Sequence, residues 1–139
     1  MSTPAWFKQP MLASPAIVEK LKYPLFASVK LDGIRATVFD RTLWSRKLKR
    51  IPSLWANQTF GDLPDGFDGE LIAGAPFGDG VFNRSTSAAM SSDGAGMGFY
   101  VFDRATGMSY GYDVRRPSAM KISGKVWDGQ EPPYVEVCD

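Results

Sequence analysis

Lys30-Leu31-Asp32-Gly33-Ile34-Arg35 is the stretch on which the reading of this chain turns. It lies between two apolar, β-compatible runs, residues 25–29 and 34–39. Asp-Gly is a strong tight-turn signal, so the two runs are expected to be strands joined through Asp32-Gly33. That arrangement puts a lysine at the end of a buried-looking strand and an arginine just across a glycine turn. Two readings are open at this point. In one, the segment is an ordinary hairpin with Lys30 and Arg35 as its solvated flanks. In the other, Lys30 is a nucleophile, because desolvation and a second cation both disfavour the ammonium form of an amine. Gly33 then lets the backbone approach a ligand, and Arg35 offers its planar fork to a phosphate or ribose oxygen.

Upstream, residues 1–13 contain Pro4 and Pro10 and are expected to run as an extended arm. Ser14-Pro15 is an N-cap and first-turn pair, which predicts a short helix over 15–22, stopped by Pro24. Downstream, a third strand is expected around 43–45, and Pro52 opens a short helix to about residue 59. Residues 67–73 read as a strand, followed by a loop carrying Gly74, Pro76, Gly78 and Gly80. The Ser/Gly/Ala-rich stretch 85–98 reads as a loop whose Ala-Ala-Met centre forms a helical turn. Residues 99–102 are a strongly apolar strand, 117–121 a helix, and 134–137 a last alternating strand. Strands outnumber helices and do not alternate regularly with them. The fold class is therefore α+β, with a mostly antiparallel sheet and short helices. No internal repeat or linker divides the chain.

Composition narrows the chemistry. The chain has 139 residues, 44% of them apolar and 13% aromatic, which suits a folded domain. Its formal charge is only +1, so contact with a polyanion must come from a local patch. There is no histidine, which excludes Ser–His and Cys–His catalysis and His-ligated zinc. Cys138 is the only cysteine, so no internal disulfide forms and a reducing, cytoplasmic setting is expected. No apolar run has the length of a membrane span, so no membrane partner is expected.

Other residues carry double readings. Arg46, Lys47, Lys49 and Arg50 fall within five positions and read as a solvated face or as a phosphate-backbone patch. Glu70 is the polar position of an alternating strand or a functional carboxylate. Phe102 is core or an aromatic platform.

The motifs taken together resemble a known family. Lys30-x-Asp32-Gly33-x-Arg35 is similar to motif I of the covalent nucleotidyltransferases, and its x-Arg ending is most like that of the ATP-dependent DNA ligases. Pro10-Met11-Leu12-Ala13 resembles the segment that often precedes motif I. Ser45-Arg46 resembles motif Ia, Asp68-Gly69-Glu70-Leu71 motif III, and Phe99-Tyr100-Val101-Phe102-Asp103 motif IIIa. Tyr112 with Arg115 and Arg116 resembles the Tyr-x-x-Arg that follows. The order and spacing are like those of the small bacteriophage enzymes, and the resemblance covers about Pro10 to Arg116.

That resemblance implies ATP and Mg²⁺ as cofactors and nicked double-stranded DNA as partner. Lys30 would attack the ATP α-phosphate and carry AMP, which passes to a 5′-phosphate before a 3′-hydroxyl displaces it. Such sealing serves replication, repair and recombination. Asp32 would lie near the nick and metal, and Arg35 would contact ribose and nick phosphates. Arg46 would bind the 5′-phosphate, with Lys47, Lys49 and Arg50 on the DNA backbone. Glu70 would hold the ribose hydroxyl or a metal-bound water, and Phe102 would stack on adenine. Counterparts of motifs IV and V and of an OB-fold are not found after Phe102. Residues 1–139 are therefore expected to be a partial adenylation domain, weak or inactive in adenylylation alone, with a complementing C-terminal fragment or self-association as further partners. A host cytoplasm is expected if the chain is viral. RNA ligation, or nucleotide or nicked-DNA binding without turnover, is the alternative.

Overall fold

The computed structural model describes residues 4–25, 30–105, 115 and 135–137. Its frame is a five-stranded sheet. The strands are β1 (Ile34–Phe39), β2 (Thr42–Trp44), β3 (Phe67–Ala73), β4 (Met97–Arg104) and β5 (Val135–Val137), in the spatial order β2-β1-β3-β4-β5. The first four pair antiparallel, and β5 lies parallel to β4. Among the described residues two α-helices, α1 (Leu54–Phe60) and α2 (Val81–Ala89), pack with the sheet.

Alternation along the strands decides which face is dry. Ala36, Val38, Leu43, Phe67, Leu71, Met97, Phe99 and Val101 are buried in one cluster with Ala56 and Phe60 of α1 and Ala89 of α2. The opposite face carries Arg35, Thr37, Asp68 and Glu70, with Ile72 and Tyr100 packed against Val81 and Leu31 in a second, smaller cluster. One sheet therefore has an apolar side that holds it together and a polar side on which chemistry can be arranged.

The β1–β2 hairpin turns at Asp40-Arg41, both left-handed (φ 52° and 58°), the conformation that matches strand twist in a two-residue turn. The Asp40 N–H donates to Asp65 Oδ1 at 3.0 Å and so ties the turn to the segment entering β3. Asn57 is buried on α1 and accepts from the Leu43 N–H, while its amide donates to Ile51 O and Ser53 O. These three bonds fix the chain leaving the basic run against the edge of the sheet. Ser53 caps α1 by accepting from the Ala56 N–H.

Several elements depart from the sequence-based expectation. Over 15–22 only a single 3-10 turn forms, Val18–Lys20, with Ile17 and Val18 well exposed. The cap signals are there, but a short helix with no buried face is not stable in water. Of the stretch 85–98, residues 85–89 form the second half of α2, so the expected Ala-Ala-Met turn is the end of a longer helix that starts at Val81. Val81, Ser85 and Ala89, spaced four apart, are its buried stripe, and a Ser/Gly-rich composition concealed it. The strands at 67–73, 43–45, 99–102 and 134–137 appear within two residues of expectation, the last of them parallel. Residues 26–29 of the expected strand before the motif, and the expected helix at 117–121, lie outside the described residues. Among the described residues no helix is long and apolar enough to cross a membrane.

Candidate functional site

β2 pairs only with the second half of β1, through Thr37, Val38 and Phe39. Beyond Trp44 the chain turns away in a tight loop, with the Ser45 N–H donating to Lys49 O and the Leu48 N–H to Ser45 O. A bridge between Trp44 and Arg50 closes this loop, and Leu48 takes a left-handed conformation (φ 59°) inside it. The divergence opens a cleft of about 650 Å³ beside the start of β1. Its basic lining is Lys30, Arg35, Arg46, Lys47, Lys49 and Arg50, and Glu70 is the one carboxylate among the lining residues. Such a concentration in a chain of net charge +1 is a local anion field.

Lys30, Arg35, Arg46 and Glu70, drawn from three separate motifs, are thus brought to one cleft. Gly33 makes the approach possible: a Cβ there would collide with the Leu71 carbonyl oxygen and Ile72 Cγ1. Leu12 lines the cleft too, and Ile51, Pro52, Phe82 and Met90 add apolar lining that motif reading missed. Phe82 and Met90 are eight positions apart, which places them on one side of α2 and its C-terminal end, and only recognition of that helix would have found them.

Other expected site residues stand elsewhere. The Asp32 carboxylate is 3.8 Å from Lys30 Nζ, and it lines a separate hollow of about 310 Å³ with residues 78–83. Phe102 is not among the residues lining the cleft, and the Arg35 guanidinium lies 4.8 Å from the centre of its ring. Arg115 is buried and paired with Asp103 at 2.7 Å, whereas Tyr112 and Arg116 lie outside the described residues. Lys30 is not buried: its side chain is 88% exposed. The desolvation expected from its position after an apolar run is therefore absent, because Lys30 stands at the open rim of the cleft.

Arg35 is the most constrained of the set. Its Nε and Nη2 each donate to the Asp68 carboxylate at 2.7 Å, and Nη1 donates to Met11 O at 3.0 Å. Burial pushes the Asp68 carboxyl above its ordinary value, and the Arg35 guanidinium pulls against that shift. The Arg35 guanidinium is itself raised above its usual value by Asp68, against the opposing effect of burial.

Chlorella virus DNA ligase-adenylate is similar to this chain in two crystal structures. One superposes with a TM-score of 0.70 at 25% identity, over 90% of this chain and 46% of that protein. The other gives 0.71 at 27%, over 94% of this chain and 48% of that protein. The chain is a ligase-like nucleotidyltransferase domain. A Lig E DNA ligase, from a study of DNA binding with a minimal scaffold, superposes on the ligase-like domain with a TM-score of 0.57 at 27% identity, over 81% of it and 42% of that protein. The domain spans less than half the length of each of these proteins. No protein-family model matches its sequence, and no curated protein does.

Glu70 gives the ligase-like domain a testable pH signature. Burial pushes its carboxyl up to about 7, although Arg35 and a hydrogen bond from the Gly33 backbone hold it down. A carboxyl raised in the folded state stabilises the fold below about pH 4.5 and loses that contribution as pH rises through 7. Glu70 keeps some contact with solvent, so the loss is set at about 1–2 kcal/mol, below the full conversion of the shift. Urea unfolding from pH 5 to 8 should show this decline in wild type, and Glu70→Gln should remove it. Parallel pH profiles for the two proteins would refute the assignment.

Proposed function

We propose that this domain performs the nucleotidyl-transfer half of ATP-dependent DNA ligation, with Lys30 as the nucleophile. The observation that carries the reading is the convergence of Lys30, Arg35, Arg46 and Glu70 on one basic cleft with an apolar wall. Phosphate chemistry requires cations around the charge that develops at phosphorus, and a nucleobase favours apolar surface beside it. The neutral Lys30 amine attacks the α-phosphorus, a P–N bond forms, the bond to the β-phosphate oxygen breaks, and pyrophosphate leaves. The amine proton passes to solvent. In the complete ligation reaction AMP would then move to a 5′-phosphate at a nick, and the 3′-hydroxyl would displace it.

In this scheme Arg35 and Arg46 hold phosphate or ribose oxygens and Glu70 the ribose hydroxyl, with Asp32 near the nick. The base lies against the apolar wall formed by Phe82, Met90 and Pro52. Phe102, expected as the adenine platform, acts in this proposal behind Arg35. Among the described residues no group of three or more potential metal ligands forms. A single cleft carboxylate suits Mg²⁺ that is held mainly by nucleotide phosphates and water, and its chemistry is to neutralise charge on those phosphates. The same proposal places the domain in the cytoplasm.

The testing experiment is the intact mass of the purified chain after incubation with ATP and Mg²⁺. A single added AMP establishes the half-reaction. Saturable ATP binding without an adduct favours the second reading, a binding module without turnover, which the exposure of Lys30 supports. Absence of ATP binding overturns both.

Arg46, Lys47, Lys49 and Arg50 are all exposed and line the cleft, which suits a sequence-independent phosphate track for a nicked duplex. Each phosphate contact contributes about 0.9 to the slope of log affinity against log salt. Changing all four residues to alanine should therefore make the slope for a nicked duplex shallower by about 3–4. An unchanged slope would place the DNA elsewhere. Competition between nicked DNA and nicked RNA separates the two ligase classes.

A further inference from the structure

We propose that residues 6–12 form a strap that positions Arg35 in the cleft, so that anion affinity depends on side chains that never touch the anion. The consequence for affinity rests on the nucleotide reading above, whereas the strap itself stands on geometry.

The strap is anchored at one end by aromatic rings. Phe7 is only 7% exposed and stacks on Phe39 with ring centres 4.4 Å apart and planes 25° apart. Trp44 meets Phe7 edge-on at 5.7 Å, and Trp6 meets Phe39 edge-on at 5.5 Å. The Trp44 indole N–H donates to Phe39 O at 2.9 Å, which fixes the platform that receives Phe7. At the other end Met11 O accepts from Arg35 Nη1, and Leu12 lines the cleft. Phe7 thus lies at Phe39 and Met11 at Arg35. Four steps along the strap run beside four steps of β1 in the opposite direction. A hollow of only about 60 Å³ separates the strap from Arg35, Thr37, Asp68 and Asp103.

This arrangement gives Arg35 contacts on several sides. Asp68 takes two of its five N–H groups, the strap carbonyl takes a third, and the Phe102 ring lies against the guanidinium plane. The Asp68 pair alone fixes the fork's edge, and the strap carbonyl fixes its remaining direction. The strap also covers the pair, whose side chains are only 20% and 6% exposed. Arg35 therefore presents its remaining donors in one orientation, and a preorganised donor binds an anion better than a mobile one. The anchor at Trp6 and Phe7 lies outside the cleft, and its effect on the Arg35 donors travels through the Met11 carbonyl. Neither Trp6 nor Phe7 belongs to the core cluster of the sheet and helices.

The test uses the full chain with Trp6→Ala and Phe7→Ala combined, and Phe7→Leu as a milder variant that also serves if the double variant does not fold. The first readout is solvent exchange at the Arg35 Nε–H by NMR, assigned through its disappearance in Arg35→Lys. Exchange about tenfold faster in the double variant is expected, with a smaller change in Phe7→Leu. The second readout is the Kd for ATP. The double variant should bind about tenfold more weakly when Arg35 is present and lose almost nothing further in an Arg35→Lys background, because the coupling runs through that guanidinium. An equal loss in both backgrounds would show a merely structural role and overturn the proposal. Unchanged Arg35 exchange overturns it whether or not ATP binds. If wild type does not bind ATP but exchange accelerates in the variants, the strap stands and the nucleotide reading fails.

Discussion

Replacing Arg35 by alanine is expected to cost about 3–5 kcal/mol of stability, the range for breaking a buried ion pair by removing one partner. The Asp68 side chain is only 6% exposed, and without the guanidinium its remaining side-chain partner among the described residues is the Thr37 hydroxyl at 3.4 Å. A buried carboxylate left in that condition carries its desolvation cost uncompensated. The physics also fixes the behaviour of partner variants. Arg35→Met with Asp68→Leu should recover most of the loss, because an apolar pair leaves no charge to strand. Acid should narrow the gap between Arg35→Ala and wild type, since burial already pushes the Asp68 carboxyl upward and protonation removes the unpaired charge. Chemical denaturation of wild type, Arg35→Met, Asp68→Leu and the double variant forms a double-mutant cycle. A coupling energy near zero would mean that the bidentate geometry contributes nothing to the fold.

The other large effect concerns Lys30. Lys30→Ala should abolish AMP transfer from ATP to the chain, as removal of the nucleophile leaves no P–N bond to form. Lys30→Arg is the sharper variant. Arginine keeps the positive charge at the cleft but stays protonated, so it cannot attack phosphorus. It should hold ATP with an affinity close to wild type and still give no adduct. Binding by calorimetry and adduct by intact mass separate the two roles. The wild-type adduct should also be lost in acid and persist in alkali, as a phosphoramidate does. An adduct on Lys30→Arg, or one with the acid stability of an ester, would remove Lys30 from the scheme.

How much of this was legible beforehand differs from one element to the next. The 67–73 strand was plain because its alternation and flanking turn residues agree, and β3 spans the same residues. α2 was not, because its helicity comes from burying Val81, Ser85 and Ala89, and its local composition argues for a loop. The opposite error at 15–22 has the same origin. Good capping residues cannot sustain a helix that has no surface to bury against.

The site divides along the same line. By itself the sequence determined the residue types and their order: a lysine, an arginine and a glycine in one hexapeptide, a basic run after it, and a carboxylate on a later strand. Those are local facts, and chemistry restricts what such groups can do. Only the tertiary structure decided what each group is free to do. It committed Arg35 to Asp68, 33 positions away, and to the Met11 carbonyl, 24 positions away. It left Lys30 open to solvent, buried Glu70 far enough to move its titration to near neutrality, and brought Phe82 and Met90 across as a wall. Burial and pairing depend on which segments meet in space, and no stretch of sequence carries that information about its own partners.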